Sequence, residues 1–439
     1  MAFWDPDRET LDREAIEQLQ LERLQSTLNR VYKNVRHFRK TFQEMDFFPE
    51  DLRALPDLTR LPLLTREDLM RNYPYDMFAV PLREVVRLHT PVLNQDDPVV
   101  MGFTKNDLDN WAELMARSLT AAGLDKDDVI QVAPTFGIMT GAFGVQLGAG
   151  RIGASVIPIP GSSFPAHVKI LRDFRTTALV ATPTFVSGVL QSLQTLGVDV
   201  NTLSLKSVIL GSEPWGESTR AELESALHVA ATDIYTLAEV FGPGVAWECP
   251  EKAGLHIAED HFIPEIVDPA AGQPVPPGEE GELVLTTIAK EAFPLIRFRT
   301  GDISRLNYEP CACGRTHARL DRIFRRCDEA VVMRGNRIVP DQIGRVLAEL
   351  VDTVPAFQLL VDRVDGQDRL TVQIEISDDM FFDEMRRQRR FVESLHRNIS
   401  ESLGWEAAVR LVEPGTFDPA ERIRDRREFG RGQWMKGSG

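Results

Sequence analysis

The 439-residue sequence predicts an α/β protein: a large N-terminal domain of βαβ units around a parallel sheet, with an antiparallel sheet or small barrel added, and then a small α+β domain. Three observations predict this. Between residues 98 and 237 short apolar runs alternate with helical patterns, which buries a parallel sheet on both faces. After residue 256 the strands HFIPEIVD, GELVLTTI and LIRFRT are separated by Pro/Gly turns, with no long helix between them. From Asp328 onward a short strand, a helix, a hairpin turning at Asp365-Gly366 and a second helix form a separate unit. The expected domains are 1–327 and 328–439.

In chain order, residues 11–44 read as one long amphipathic helix with Leu19, Leu21, Leu24, Leu28 and Val31 on one side. Pro56 and Pro62 punctuate a linker, and Thr65-Arg-Glu-Asp68 is a capping box that opens a short helix. VVMGF is a strand. Thr104 to Asp107 is an N-cap with an acid in the first turn, and Gly123 stops the helix that follows. The strands DVIQVAP, SVIPIP, ALVATP, SVIL and IYTL alternate with helices over 140–152, 164–174, 183–196 and 217–227. In the last unit, helices span 341–350 and 380–403.

The composition is 43% hydrophobic and 26% charged, that of a globular protein. A net charge of −16 argues against a nucleic-acid or anionic-membrane partner. No apolar run reaches the roughly 20 residues of a membrane span, and the acidic start MAFWDPDRE has no signal-peptide core. Four cysteines make no disulfide framework, so a cytoplasmic location is expected. The Lys436-Gly-Ser-Gly end is left out of the fold reading.

The chain is organised around Tyr235–His256. Glu239 follows the strand IYTL, and a Gly-Pro-Gly turn is expected at 242–244. An acid at a strand end beside a tight glycine turn is where open parallel sheets place ligand chemistry.

Several motifs spread over nearly the whole chain point further. They are GFTKNDLDNWA (102–112), GASVIPIPG (153–161), LVATPTFV (179–186), GSEPWGESTR (211–220), YTLAEVFGPGVAWEC (235–249), GLHIAEDHF (254–262), RFRTGD (297–302) and RGNRIVPDQI (334–343). Together they resemble the phenylacetate–CoA ligase branch of the adenylate-forming acyl-CoA synthetases. The resemblance implies that Asp302 holds the ribose hydroxyls of AMP, since one carboxylate accepts two such bonds. It implies that Glu239 holds magnesium, that Tyr235 stacks near adenine, and that Ser212, Glu213 and Pro214 line the nucleotide pocket. Arg322 is assigned a ribose contact, and Asp328 the hinge to a mobile small domain. Phe136, Met139, Gly141, Ala142 and Phe143 match the acyl-pocket region; read alone they are ordinary core.

Cys249-x6-His256 and Cys311-x-Cys313 supply three thiolates and an imidazole, a closed tetrahedral zinc set. Relatives in the family look similar here, with a structural zinc. His261 or His317 could stand in for His256, and the bland alternative is a group of buried reduced cysteines. Cys327 belongs to neither of these motifs and reads as structural.

Two departures from the family pattern bear on function. Between Arg87-Leu-His89 and Gly102-Phe-Thr104 the family has a phosphate loop with two glycines and a lysine. Leu93, Asp96 and Asp97 stand at those positions. Glycines let backbone N–H groups curl around phosphate and lysine neutralises it. Each aspartate would repel a triphosphate by roughly 4 kcal/mol at about 4 Å. The second departure follows LVEPGT, where no lysine appears before Lys436; Arg422, Arg424 or Arg426 could supply charge, but not equivalently.

Both losses fall on adenylation, which argues against ATP and magnesium. The expectation is therefore ATP-independent acyl transfer, aryl in preference, between CoA and another thiol such as a carrier-protein phosphopantetheine. Such exchange is nearly isoenergetic and needs only positioning. His89 and Glu239 are the candidate catalytic groups, with Cys327 behind them. Arg386–Arg390, otherwise a solvated helix face, or Arg422–Arg431 would dock an acidic carrier. The alternatives are an ATP-dependent aryl-CoA ligase and a non-catalytic thioester-binding protein. A homodimer is a further expectation.

Overall fold

The computed structural model describes residues 2–90, 99–133, 141–159, 163–323, 325–351, 353–364, 366–376 and 385–427. They form two compact units, Met1–Cys327 and Asp328–Arg431. The fold is mixed α/β, with parallel and antiparallel sheets in the large unit and a small α+β unit after it.

In the first unit a nine-stranded sheet carries the architecture. Its parallel half runs Ser155–Pro158, Val129–Val132, Ala178–Ala181, Ser207–Gly211 and Ala230–Leu237 in spatial order. These strands are short and apolar throughout because helices cover both faces. The antiparallel half continues with Gly242–Glu248, Leu255–Ile257, Arg319–Leu320 and Leu306–Asn307. A separate three-stranded antiparallel sheet holds Phe262–Val267, Gly281–Thr287 and Phe298–Ser304, an open sheet and not a barrel.

Helix Lys105–Ala121 starts where its sequence says it must. Thr104 and Asp107 cap each other's backbone N–H groups at 3.1 and 2.9 Å. Helix Gly141–Ile152 lies close against it. A Cβ at Gly148 would come within 2.3 Å of Met115 Cβ, so only glycine admits this approach.

The reading of 11–44 as one helix needs correction. There are two, Arg13–Asn34 and Arg36–Glu44, broken at Val35, whose backbone is extended. Arg39 reaches back to the Tyr32 and Lys33 carbonyls and satisfies the broken end. The expected turn at 242–244 is also displaced. The chain turns at Ala238–Phe241, and Gly242–Gly244 already belongs to the returning strand. Its register against Ala230–Leu237 slips between Tyr235 and Thr236. Such an irregularity tolerates Pro243, which has no N–H for the ladder, and uses Gly242 and Gly244 at φ 113° and 96°.

The second unit has a four-stranded sheet in the order Ala408–Val412, Gln367–Glu375, Phe357–Val364, Ile423–Asp425. Leu359, Val361, Val372 and Ile374 from its central hairpin are buried, as are Leu395 and Ile399 of helix Met385–Leu403. Helix Pro340–Ala348 follows a hairpin of Val331–Met333 and Asn336–Ile338.

Candidate functional site

Three groups of side chains gather where the two halves of the large sheet meet. The first surrounds Glu239. It is buried at the turn after strand Ala230–Leu237 and is ion-paired to Arg66. Arg66 opens helix Arg66–Arg71, whose Thr65–Asp68 capping box fixes where that guanidinium starts. Lys290 approaches from behind, with its ammonium on the Val240 carbonyl.

The second group centres on Asp302, in strand Phe298–Ser304. Tyr235 Oη donates to Asp302 Oδ2 at 2.6 Å. Arg326 pairs with Asp302 Oδ1 and also donates to the Thr300 carbonyl at 2.7 Å. Burial, and then the charge of Asp302, push the Tyr235 phenol well above its ordinary range, so it stays a hydrogen-bond donor. Ser212 sits nearby on the neighbouring strand end at φ 63°, rare for serine, with its hydroxyl 3.1 Å from Thr236 Oγ1. Glu213 turns inward: its carboxylate accepts from Thr184 N at 3.1 Å and Thr184 Oγ1 at 2.8 Å. Pro214 is half-buried beside it.

Arg322, to which the resemblance assigned the ribose contact, does not join this group. Its guanidinium meets Glu248 at 2.8 Å, Glu217 at 2.9 Å and Asp233 at 3.4 Å, and stands over the Trp215 ring. Arg220 reaches the same Glu248 carboxylate at 2.8 Å. Glu248 is 1% exposed, so the two guanidiniums serve to neutralise it. The cation that faces Asp302 is Arg326. Sequence reasoning missed it, although its place two residues before Asp328 was a signal. It missed Arg66 and Lys290 as well, whose partners lie far off in the chain.

The third group is aromatic. The His89 ring is buried, 5.3 Å from Phe103, 6.1 Å from Trp111 and 5.4 Å from Phe143, centroid to centroid. Arg87 lies over the Phe143 ring, which is partly exposed. Gly141 and Ala142 begin the same helix as Phe143. Phe136 and Met139 lie outside the described residues, as do residues 91–98 of the altered loop. Asp328 is the first residue of the second unit and is ion-paired to Arg337 at 3.0 Å.

A fourth cluster lies at the antiparallel edge. The ligand atoms of Cys249, His256, Cys311 and Cys313 all fall within 4.8 Å of one another, and all four residues are buried. Cys249 Sγ is 3.7 Å from Cys311 Sγ, and Cys313 Sγ is 3.4 Å from His256 Nε2. His256 Nδ1 faces the His317 carbonyl at 3.3 Å, which leaves Nε2 for a metal. Three sulfurs and one imidazole nitrogen fit a tetrahedral cation. His261 pairs instead with Asp260, and His317 with the Arg8 and Ile257 carbonyls, so neither replaces His256. The loop that carries Cys313 also receives the start of the chain. Arg315 Nε meets Glu9 at 2.6 Å, both 2% exposed, and Thr316 N donates to the Glu9 carbonyl at 3.2 Å.

Comparison with known proteins places this geometry. Residues 100–289 match the AMP-binding enzyme family, and 335–427 match the AMP-binding enzyme C-terminal domain. A phenylacetate–coenzyme A ligase of Thermus thermophilus is 38% identical over 97% of this chain and 98% of its own. The Escherichia coli phenylacetate–coenzyme A ligase is 39% identical over 94% of each. Among solved structures, a 2-hydroxyisobutyryl-CoA ligase in complex with 2-HIB-AMP and CoA superposes with a TM-score of 0.90, at 25% identity, over 97% of this chain and 93% of that one. These findings overturn the expectation of ATP-independent transfer between thiols. That expectation rested on two short stretches, whereas the similarity to acid–CoA ligases runs the length of the chain. The altered loop was given too much weight: it is one short stretch, whereas the similarity covers 97% of the chain. The chain belongs to the phenylacetate–coenzyme A ligase family of AMP-binding enzymes.

Proposed function

We propose that the protein is an ATP-dependent ligase joining an aryl carboxylic acid, phenylacetate or a close relative, to CoA. The observation that carries this reading is the Tyr235–Asp302–Arg326 cluster. A buried carboxylate held by a phenol and a guanidinium is preorganised to accept two ribose hydroxyls. Full-length similarity to phenylacetate–coenzyme A ligases supports the same reaction.

In this reading Asp302 and Tyr235 orient the nucleoside, with Ser212 and Pro214 along the pocket and Arg326 holding Asp302. The substrate carboxylate attacks the α-phosphorus of ATP and pyrophosphate leaves. The CoA sulfur then attacks the acyl carbon of the adenylate and AMP leaves. Bound magnesium would supply charge neutralisation for the triphosphate, and Glu239 is the residue that would hold it. Phe143, exposed beside His89 and backed by the buried Phe103 and Trp111 rings, favours an aryl acid over a short aliphatic one. His89 is then a wall of the acyl pocket. Asp328 opens the small domain and serves as the hinge between the two half-reactions. Zinc held by Cys249, His256, Cys311 and Cys313 pins the antiparallel edge and takes no part in the chemistry.

The test is pyrophosphate release with ATP, magnesium and CoA, comparing phenylacetate and benzoates with acetate. Release that requires the aryl acid is expected. No release with any of them overturns the reading.

A further inference from the structure

Among the buried charges that the ligation chemistry does not use is Lys290. Lys290 is 2% exposed, and burying an ammonium is costly unless something is gained. Its Nζ donates to the carbonyl of Val240, the residue after Glu239. It also stands 4.1 Å from the centre of the Phe103 ring and 4.8 Å from that of Phe241, two residues after Glu239. One ammonium therefore grips the chain immediately beyond the acid, through a carbonyl and through a ring.

The segment bearing Lys290 is itself fixed. Asp107 Oδ1 accepts from Glu291 N at 2.7 Å, and Oδ2 from Ala292 N at 3.0 Å. Thr104 Oγ1 donates to Glu291 at 2.8 Å, and Asn110 Nδ2 donates to the Ala289 carbonyl at 2.8 Å. Thr104, Asp107 and Asn110 all belong to the start of helix Lys105–Ala121 or its cap. A continuous set of bonds thus runs from that helix, through residues 289–292, to the turn that carries Glu239. Burial draws the Lys290 ammonium down to about 7, and the Asp107 and Glu239 carboxylates oppose that fall.

We propose that Lys290 is a positioning residue for the reaction: it tethers the Val240–Phe241 segment so that Glu239 presents its carboxylate to the magnesium nucleotide. This rests on the reading of Glu239 as the magnesium-holding acid. Lys290 touches no reacting atom.

Charge and tether predict opposite signs, which makes the proposal testable. A lysine that acted only through its charge would repel a divalent cation, so removing it would lower the magnesium requirement. A tether does the reverse. In Lys290→Met, the magnesium concentration for half-maximal pyrophosphate release is expected to rise about tenfold, with the KM for CoA within about twofold of the parent. A fall in the magnesium requirement, or no change, overturns the proposal. Lys290→Gln keeps a donor for the Val240 carbonyl without the charge and should stay within about threefold of the parent. A loss as large as that expected for Met overturns the tether, and this variant decides alone if Lys290→Met does not fold. Combined with Glu239→Gln, Lys290→Met should add less than about twofold, because both act through one carboxylate. Multiplying losses overturn the proposal. If Glu239→Gln leaves the magnesium requirement unchanged, the reading of Glu239 fails. The tether is then judged by hydrogen exchange at Val240 and Phe241, expected to speed up at least tenfold in the Lys290 variant that folds; unchanged exchange overturns it.

Discussion

Tyr235 and Asp302 come from two different sheets and are joined by a hydrogen bond of 2.6 Å. The nine-stranded sheet supplies the phenol and the three-stranded sheet the carboxylate, so this bond joins the two sheets at the place where the proposed function puts the nucleoside. Tyr235→Phe removes the donor and keeps the ring. A hydrogen bond to a charged group is worth about 1.5–3 kcal/mol, and Arg326 still holds the other oxygen. The KM for ATP should rise about tenfold with the KM for CoA little changed. An unchanged KM for ATP would show that the bond is only structural.

Arg322 and Arg326 lie four residues apart and should fail differently. Arg326→Ala frees one oxygen of Asp302 and should raise the KM for ATP by about tenfold while leaving the fold intact. Arg322→Ala leaves Glu248 with one guanidinium instead of two. Breaking a buried pair costs about 3–5 kcal/mol, so this variant should lose several degrees of melting temperature in calorimetry. Reversed phenotypes would return the ribose contact to Arg322.

Cys313→Ser should remove one equivalent of zinc per chain by elemental analysis. It should also loosen the chain start, because Arg315 and Thr316 hold Glu9 from the same loop. Amides of residues 2–9 are expected to exchange faster in the variant, and Trp4 fluorescence should shift. Glu9→Gln, which leaves Arg315 buried without a counter-charge, should destabilise by about 3 kcal/mol while keeping the zinc. Retention of a full zinc equivalent in Cys313→Ser would remove Cys313 from the ligand set.

The buried ammonium of Lys290 predicts a pH dependence of definite sign. Its folded value is drawn down to about 7 from an ordinary 10.5. The unfolded chain therefore binds more protons between these values, and stability rises with pH across that window. Below about 7 both states are protonated and the whole cost of the buried charge is present. Melting curves of the parent and Lys290→Met should show the parent gaining on the variant from pH 7 to 9, by at most about 1.4 kcal/mol per pH unit. A constant difference would mean that the ammonium is not desolvated.

What could be read from the sequence was local or strongly spaced. The Thr104–Asp107 capping box, the alternation of strands and helices, and Cys249, His256, Cys311 and Cys313 needed only short-range pattern. What could not be read depended on which of several equivalent groups faces inward. Four arginines stand between 319 and 326, and only the pairing of Asp302 with Arg326 shows which guanidinium serves it. Arg66 reaches Glu239, and Lys290 the Val240 carbonyl beside it, from distant segments, so no spacing marks them. The break at Val35 was hidden because apolar periodicity continues past it, through Phe38 and Phe42.

The Glu9–Arg315 contact spans 306 residues. At a synthesis rate of about 5–20 residues per second, Glu9 waits on the order of tens of seconds for its partner to be made. Helix Arg13–Asn34 does not wait as long, because Leu24 and Leu28 share a core with Phe38, Phe42, Leu52 and Leu58, which are made soon after. The contacts of Glu9 are thus among the last of the large domain to become possible, and the cysteine loop acts as their clasp. On the reading that this loop holds zinc, a chain starved of metal keeps residues near Glu9 unclasped after its central sheet has closed.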